Sequence, residues 1–199
     1  LAENGCDLIE LGAPFSDPIA DGPTIQRASA AALKAGMTLD KTMEILTEFR
    51  ARHSTPVVLF GAYNPFFARG LDRAVAMATQ AGADGFLAAD VPVDEADEFR
   101  ELCAAKGLHL VLLAAPTTPD ERLRRIGAST SGFLYCIALK GITGAREAVG
   151  EELIPYIQRA RAASNAPIAV GFGVSRPEHV RALAPHADGV IVGSALINL

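Results

Sequence analysis

Residues 10–26 read E-L-G-A-P-F-S-D-P-I-A-D-G-P-T-I-Q, and two acids in this run, Glu10 and Asp21, have types and spacing suited to chemistry. Glu10 closes an apolar run and Asp21 lies in the loop just after it. Two carboxylates converging on one pocket can divide general acid and general base work. The Pro, Gly, Ser and Asp between them favour a shaped loop over a flexible one. Side chains alternate faces along a strand, so Leu8, Glu10 and Gly12 share one face and Ile9 and Leu11 the other. The apolar pair suits packing against helices, which aims Glu10 inward. Burying that carboxylate costs free energy unless it is paired or used. Desolvation would raise its pKa toward the range of an acid or base working near neutral pH. A structural Glu paired with a basic residue is the alternative. Asp17 and Asp21 also fit plain turn chemistry, and Asp21 could cap a helix starting near Thr24.

Three glycine-bearing turns late in the chain form a second group: Lys140-Gly-Ile-Thr-Gly144, Gly171-Phe-Gly-Val-Ser175 and Gly193-Ser194-Ala195. The last two follow strand patterns directly. Glycines there expose backbone N–H groups, and a helix start behind them favours an anion. Together the three turns point to a phosphate ester held by backbone donors, with no basic residue required. Tyr135 alternates with Phe133 and Ile137; its hydroxyl either reaches a substrate or bonds a core neighbour. Asp90-Val-Pro follows a strand and shapes its rim. His53, His109, His179 and His186 are scattered without a ligand or triad pattern and receive no role. Lys140 sits in a loop rather than a strand interior, which disfavours a Schiff base.

The elements that must position these residues alternate. Strands are expected at Asp7–Leu11, Val57–Phe60, Gly85–Ala89, His109–Leu113, Gly132–Ile137, Ile168–Val170 and Gly189–Val192. Amphipathic helices are expected at Thr24–Lys34, Leu39–Arg52, Leu71–Ala81, Val93–Lys106, Pro119–Ile126, Glu151–Ala163 and Arg176–Leu183. Strict alternation predicts a parallel sheet with covered faces. The turns A-G-A-D-G at 81–85 and H-A-D-G at 186–189 hint at a repeated βα unit of about 25 residues. Seven strands with functional residues at several strand ends, and no dinucleotide fingerprint after the first, favour a (β/α)8 TIM barrel over an open doubly wound sheet. One strand would then precede Leu1. Both ends look cut, so residues 1–199 are expected to be a single barrel domain truncated at each end.

Composition narrows the class further. The 199 residues are 50% apolar and 21% charged, with a net charge of −5, as in an ordinary globular domain. No basic cluster marks a nucleic-acid or anionic-membrane partner. The longest apolar run, around 108–116, is too short to span a bilayer, and no signal peptide opens the chain. Cys6, Cys103 and Cys136 match no metal spacing or disulfide framework and fit reduced residues of a cytoplasmic protein.

The run from Glu10 to Gln26 resembles the signature of the tryptophan synthase alpha chain family. The similarity continues in order through Tyr63-Asn-Pro, Ala89-Asp-Val-Pro-Val, Gly141-Ile-Thr-Gly, Gly171-Phe-Gly-Val-Ser and Gly193-Ser-Ala, covering essentially the whole chain. The resemblance implies a TIM barrel that cleaves indole-3-glycerol phosphate to indole and glyceraldehyde 3-phosphate in tryptophan biosynthesis. It implies that Glu10 is the glutamate shuttling protons to indole C3 and from the glycerol hydroxyl. Asp21 matches the aspartate at the indole N–H, and Tyr135 a tyrosine beside the reacting centre. Gly144, Gly173, Gly193 and Ser194 match phosphate-binding positions, and Thr143 a loop threonine that orders the aspartate when the lid closes. Phe60, Leu87, Leu113 and Phe172 match the apolar walls around the ring.

The same resemblance implies a beta chain as partner in an α2β2 complex. Pro14, Phe15, Asp17 and Asn64 are the contacts it suggests, with the loop Lys140–Gly150 also facing that partner. Pyridoxal phosphate is expected only on the beta chain, and neither a metal nor a cofactor on this one. Two departures stand out: Ala62 occupies a position where many members carry a second tyrosine, and the segment around Leu139 and Lys140 varies. A seven-stranded piece with open edges is expected to be less soluble and nearly inactive by itself. Two other functions fit part of the pattern: a non-catalytic module that binds phosphorylated ligands or activates a beta chain, and a stand-alone indole-releasing lyase.

Overall fold

Short β-branched runs and 3.6-residue apolar periods separate cleanly along this chain, and the computed structural model follows them. It describes residues 1–138, 152–171 and 173–199. The chain divides into two compact units, Leu1–Leu110 and Val111–Leu199.

The first unit carries β1 (Ile9–Gly12), β2 (Val57–Gly61) and β3 (Gly85–Ala88) in parallel, in chain order. The register aligns Glu10 with Val58 and Gly85, and Gly12 with Phe60 and Leu87. Partners in register share a face, so Glu10, Phe60 and Leu87 lie on one side. Between the strands come α1 (Pro23–Lys34), α2 (Leu39–Arg50), α3 (Tyr63–Arg69), α4 (Leu71–Ala81) and α5 (Asp97–Ala105). In α4 the buried residues are Leu71, Ala74, Val75, Ala78 and Ala81, the spacing of one helical face. Phe66, Phe86 and Phe99 join α3, β3 and α5 in an aromatic cluster, with centroids 5.1 Å apart for Phe66–Phe86 and 4.9 Å for Phe86–Phe99.

In the second unit, β4 (His109–Ala114, its first two residues still in the first unit), β5 (Leu134–Ile137), β6 (Ile168–Gly171) and β7 (Gly189–Ile191) are parallel in chain order. They alternate with α6 (Asp120–Ser129), α7 (Leu153–Ala163), α8 (Pro177–Leu183) and the short α9 (Ser194–Ile197). Leu113, Tyr135, Ala169 and Gly189 align across the four strands. Tyr156 of α7 donates to the Ala114 carbonyl at 2.6 Å, fixing the helix on β4. β6, with a neighbour on each side, is buried throughout, whereas β7 is half-buried and β1 is half-buried up to its exposed Gly12.

The expected elements differ from these at their ends and in three places. The Tyr63–Arg69 helix was expected only as a motif; Pro65 falls in its first turn, where the missing N–H costs no helical bond. The expected Val93–Lys106 helix is a 3₁₀ turn at Val93–Glu95 followed by α5. The expected Gly132–Ile137 strand starts at Leu134, because Gly132 has φ +79° and turns the chain.

The two similar turns do the same job in their own units. Asp84 bonds the Val57 N–H at 2.7 Å and pairs with Arg50 from the end of α2, while its own N–H bonds the Val57 carbonyl. Asp188 bonds the Ile168 N–H at 2.7 Å and pairs with Arg161 from α7 at 3.0 Å, and its N–H bonds the Ile168 carbonyl. Each Asp ties the start of one strand to the start of its neighbour. Asp188 keeps its carboxyl below the ordinary value, first through the Ile168 N–H, with Arg161 adding to it.

Candidate functional site

In the first unit the site is built at the C-terminal ends of β1, β2 and β3. The β1–β2 ladder runs past the strand through Ala13 N–H to the Phe60 carbonyl at 2.7 Å. Glu10 is a half-buried residue whose Oε1 is buried, with no hydrogen-bond partner among the described residues. Burial pushes its carboxyl from the ordinary 4.5 up to about 7. No basic partner meets it among the described residues. Phe60, half-buried, and Leu87, fully buried, share its face.

The loop after β1 is held from α1. Ser29 accepts the Phe15 N–H at 2.9 Å and donates back to the Phe15 carbonyl at 3.0 Å. The Asp21 carbonyl accepts from Gln26 at 2.9 Å. The Asp21 side chain does not cap α1: the N-cap is Gly22, without a side-chain cap, and Pro23 starts the helix. The alternative reading of Asp21 as a helix cap is thus not met. Its pKa is raised, first by burial and then by the charge of Asp90. Asp90, just after β3, accepts the Tyr63 N–H at 2.6 Å.

The remaining expected contact residues of this unit lie on its surface: Asp17 and Asn64 are exposed, and Pro14 and Phe15 half-buried. Ile19, at the tip of the same loop, is 82% exposed, an apolar feature that loop composition did not reveal.

In the second unit, Tyr135 and Leu113 are adjacent in register and both half-buried. Tyr135 extends over β6: a Cβ on Gly171 would fall 2.2 Å from its hydroxyl and 2.6 Å from its ring carbon Cζ. Gly171 is thus required to make room for Tyr135. Its place in a glycine-rich turn hid that role in the sequence. Gly173 follows with φ +76°, a conformation that favours glycine. Gly193 is the N-cap of α9, and Ser194 its first residue. Both are exposed, and the first N–H groups of such a turn have no acceptor within the helix. Space is open beside Gly193 where a side chain would begin. A cleft of about 470 Å³ flanks these turns, lined by Val174, Arg176, Pro177, Val180 and Val192 among others. Thr143, Gly144, Phe172 and the loop 140–150 lie outside the described residues.

The structure puts Glu10, Phe60 and Leu87 on one face of the first unit's strands, with Asp21 in the loop after β1, and pairs Leu113 with Tyr135 in the second unit, where Gly173, Gly193 and Ser194 lie in the turns after β6 and β7. The tie through Ser29 left no sign in the sequence, which marked Gly171 only as part of a glycine-bearing turn and Asp90 only as a rim residue. Among the described residues, no cluster of His, Cys, Asp and Glu could hold a metal ion. No described helix is long and apolar enough to cross a membrane.

Comparison with known proteins follows this geometry closely. The family model described as tryptophan synthase alpha chain matches residues 1–199. The tryptophan synthase alpha chain of Thermococcus kodakarensis is 52% identical over 198 residues, 99% of this chain and 79% of its own length. That of Chloroflexus aurantiacus is 48% identical, covering 98% of this chain and 73% of its own. A chain solved in work on mutual activation of the tryptophan synthase a2b2 complex of Pyrococcus furiosus superposes with a TM-score of 0.91 at 48% identity. That match covers 96% of this chain and 77% of the solved one, and it carries the expected α/β TIM-barrel class.

Proposed function

This chain belongs to the tryptophan synthase alpha chain family, the alpha subunit lyases of tryptophan biosynthesis, and we propose that Glu10 and Asp21 carry its cleavage of indole-3-glycerol phosphate. The observation that carries the assignment is the Glu10 carboxylate, with Oε1 buried and without a hydrogen-bond partner among the described residues and its pKa raised to about 7. Near neutral pH such a group is partly protonated. It can give a proton to the indole C3 and then, as carboxylate, take the proton of the glycerol hydroxyl. Protonation at C3 leaves positive charge on the ring nitrogen, and the Asp21 carboxylate holds that N–H. Loss of the hydroxyl proton forms the aldehyde carbonyl, the carbon–carbon bond breaks, and its electron pair returns to the ring. Indole and glyceraldehyde 3-phosphate leave.

Phe60, Leu87, Leu113 and Phe172 are proposed as walls for the ring, with Tyr135 beside the reacting centre. The phosphate is assigned to backbone N–H groups at Gly144, Gly173, Gly193 and Ser194, and Thr143 is proposed to order Asp21. This chemistry calls for no metal or organic cofactor on this chain. The beta chain is the partner in the solved complex of a relative. Here Pro14, Phe15, Asp17 and Asn64 are proposed to face it, pyridoxal phosphate residing on that partner, in the cytoplasm.

Indole release from indole-3-glycerol phosphate by the full-length parent chain, with and without a beta chain, tests the reading beside its Glu10→Gln variant. Turnover that the beta chain speeds and the variant abolishes is expected. A variant that releases indole at the parent rate would sink the role of Glu10.

A further inference from the structure

The geometry points to Gln26 as a positioning residue for Asp21: its side-chain amide, on the first turns of α1, holds the Asp21 carbonyl and so sets the backbone from which the Asp21 carboxylate is aimed. This rests on the proposed role of Asp21 in the cleavage. The loop after β1 is fixed at its near end by the sheet, where the Ala13 N–H donates to the Phe60 carbonyl at 2.7 Å. Its far end, which carries Asp21, is fixed by α1.

Gln26 makes two contacts on consecutive carbonyls. Its backbone N–H donates to the Gly22 carbonyl at 3.0 Å, an ordinary helical bond. Its side-chain amide donates to the Asp21 carbonyl at 2.9 Å, which carries the ladder one residue back beyond the helix. The Asp21 N–H in turn donates to the Pro18 carbonyl at 3.1 Å, so both backbone groups of Asp21 are held. Pro23 keeps the residue before it extended, and Gly22 has φ −74° and ψ 164°. With the backbone set on either side, only the side-chain torsions of Asp21 remain to aim its carboxylate. One turn along the same face of α1, Ser29 holds both backbone groups of Phe15, so the helix grips the loop at two points. The Gln26 side chain is exposed, so this contact contributes little to the core. Lys41 makes a like contact before α2, donating to the Gly36 carbonyl at 2.8 Å in a turn that carries no proposed site residue. It serves as the control.

Gln26→Met keeps side-chain length and helix propensity and removes the amide; Lys41→Met does the same to the control contact. Both are assayed for indole release from indole-3-glycerol phosphate in the full-length parent chain with a beta chain present, alone and combined with Asp21→Asn. Positive charge on the ring nitrogen develops only as C3 is protonated, so a misplaced Asp21 costs kcat rather than KM. In Gln26→Met, kcat is expected to fall roughly fivefold, the worth of one ordinary hydrogen bond, with KM held within about twofold. The thermal midpoint is expected to stay within about 2 °C, as for an exposed substitution. Lys41→Met is expected to leave kcat within about twofold. On top of Asp21→Asn, Gln26→Met is expected to change the residual kcat by less than about twofold, because the group it positions is already gone. An unchanged kcat in Gln26→Met, an equal loss in Lys41→Met, or the full loss repeated on top of Asp21→Asn overturns the inference. Turnover of Asp21→Asn at the parent rate overturns the catalytic role of Asp21 itself, and the positioning role with it.

Discussion

Replacing Glu10 by Gln should stabilise the protein above neutral pH while it abolishes turnover. Burial raises the Glu10 carboxyl from 4.5 to about 7. Each pKa unit corresponds to about 1.4 kcal/mol, so a shift of this size is worth about 3 kcal/mol between protonation states. Below about pH 4.5 the carboxyl is protonated in both folded and unfolded chains and leaves stability unchanged. From there to about 7 the folded chain holds a proton that the unfolded chain has released, so stability declines as pH rises. Above that window the full penalty of about 3 kcal/mol remains, because a charged oxygen is buried without a partner among the described residues. A glutamine cannot ionise, so its variant lacks this decline.

Urea unfolding followed by circular dichroism at pH 4, 6, 7 and 9 measures the difference between the two proteins at each pH. That difference should grow by about 3 kcal/mol in favour of Glu10→Gln between pH 4 and pH 9. If it stays constant to within about 0.5 kcal/mol, Glu10 titrates as an ordinary surface carboxylate. The physical basis for a proton shuttle at neutral pH then disappears, whatever the variant does to turnover. Gain of stability together with loss of activity is the pattern expected where an active-site charge is held at the expense of the fold.

Individual contacts lead to further outcomes. Gly171→Ala drives a methyl into the Tyr135 ring; displacement of that ring should lower kcat by roughly tenfold or more and destabilise by about 1–3 kcal/mol, read by steady-state kinetics and thermal unfolding. Asp84→Ala removes the acceptor of the Val57 N–H and the Arg50 pair; it should cost about 1–2 kcal/mol in urea unfolding, the half-exposed ion pair adding little, and leave kcat within about twofold. Asp188→Asn should instead flatten acid unfolding, since the lowered Asp188 carboxyl contributes stability that is present above the ordinary 3.8 and lost as pH falls through its folded value. Ser29→Ala unties both backbone groups of Phe15, so it should raise KM more than it lowers kcat and speed amide exchange in residues 14–21; unchanged exchange there would show that the loop is held by other means.

The sequence by itself determined the elements and the chemistry they carry. Period-two alternation at 8–12 put Glu10 on the inner face with Leu8 and Gly12, and helical spacing placed α4 to the residue. These signals are local: each depends on neighbours within one turn or one strand. Collinear motifs such as E-L-G-A-P-F-S-D-P pointed to the family because short shaped loops need particular residues at each step. The tertiary structure alone decided which side chains meet. That Glu10 Oε1 has no partner among the described residues, that Asp90 reaches Tyr63 across 27 residues and that Gly171 clears space for Tyr135 all depend on how the strands pair. Register is set by packing between segments far apart in the chain, and a shift of one residue would turn Glu10 and Tyr135 to the other face.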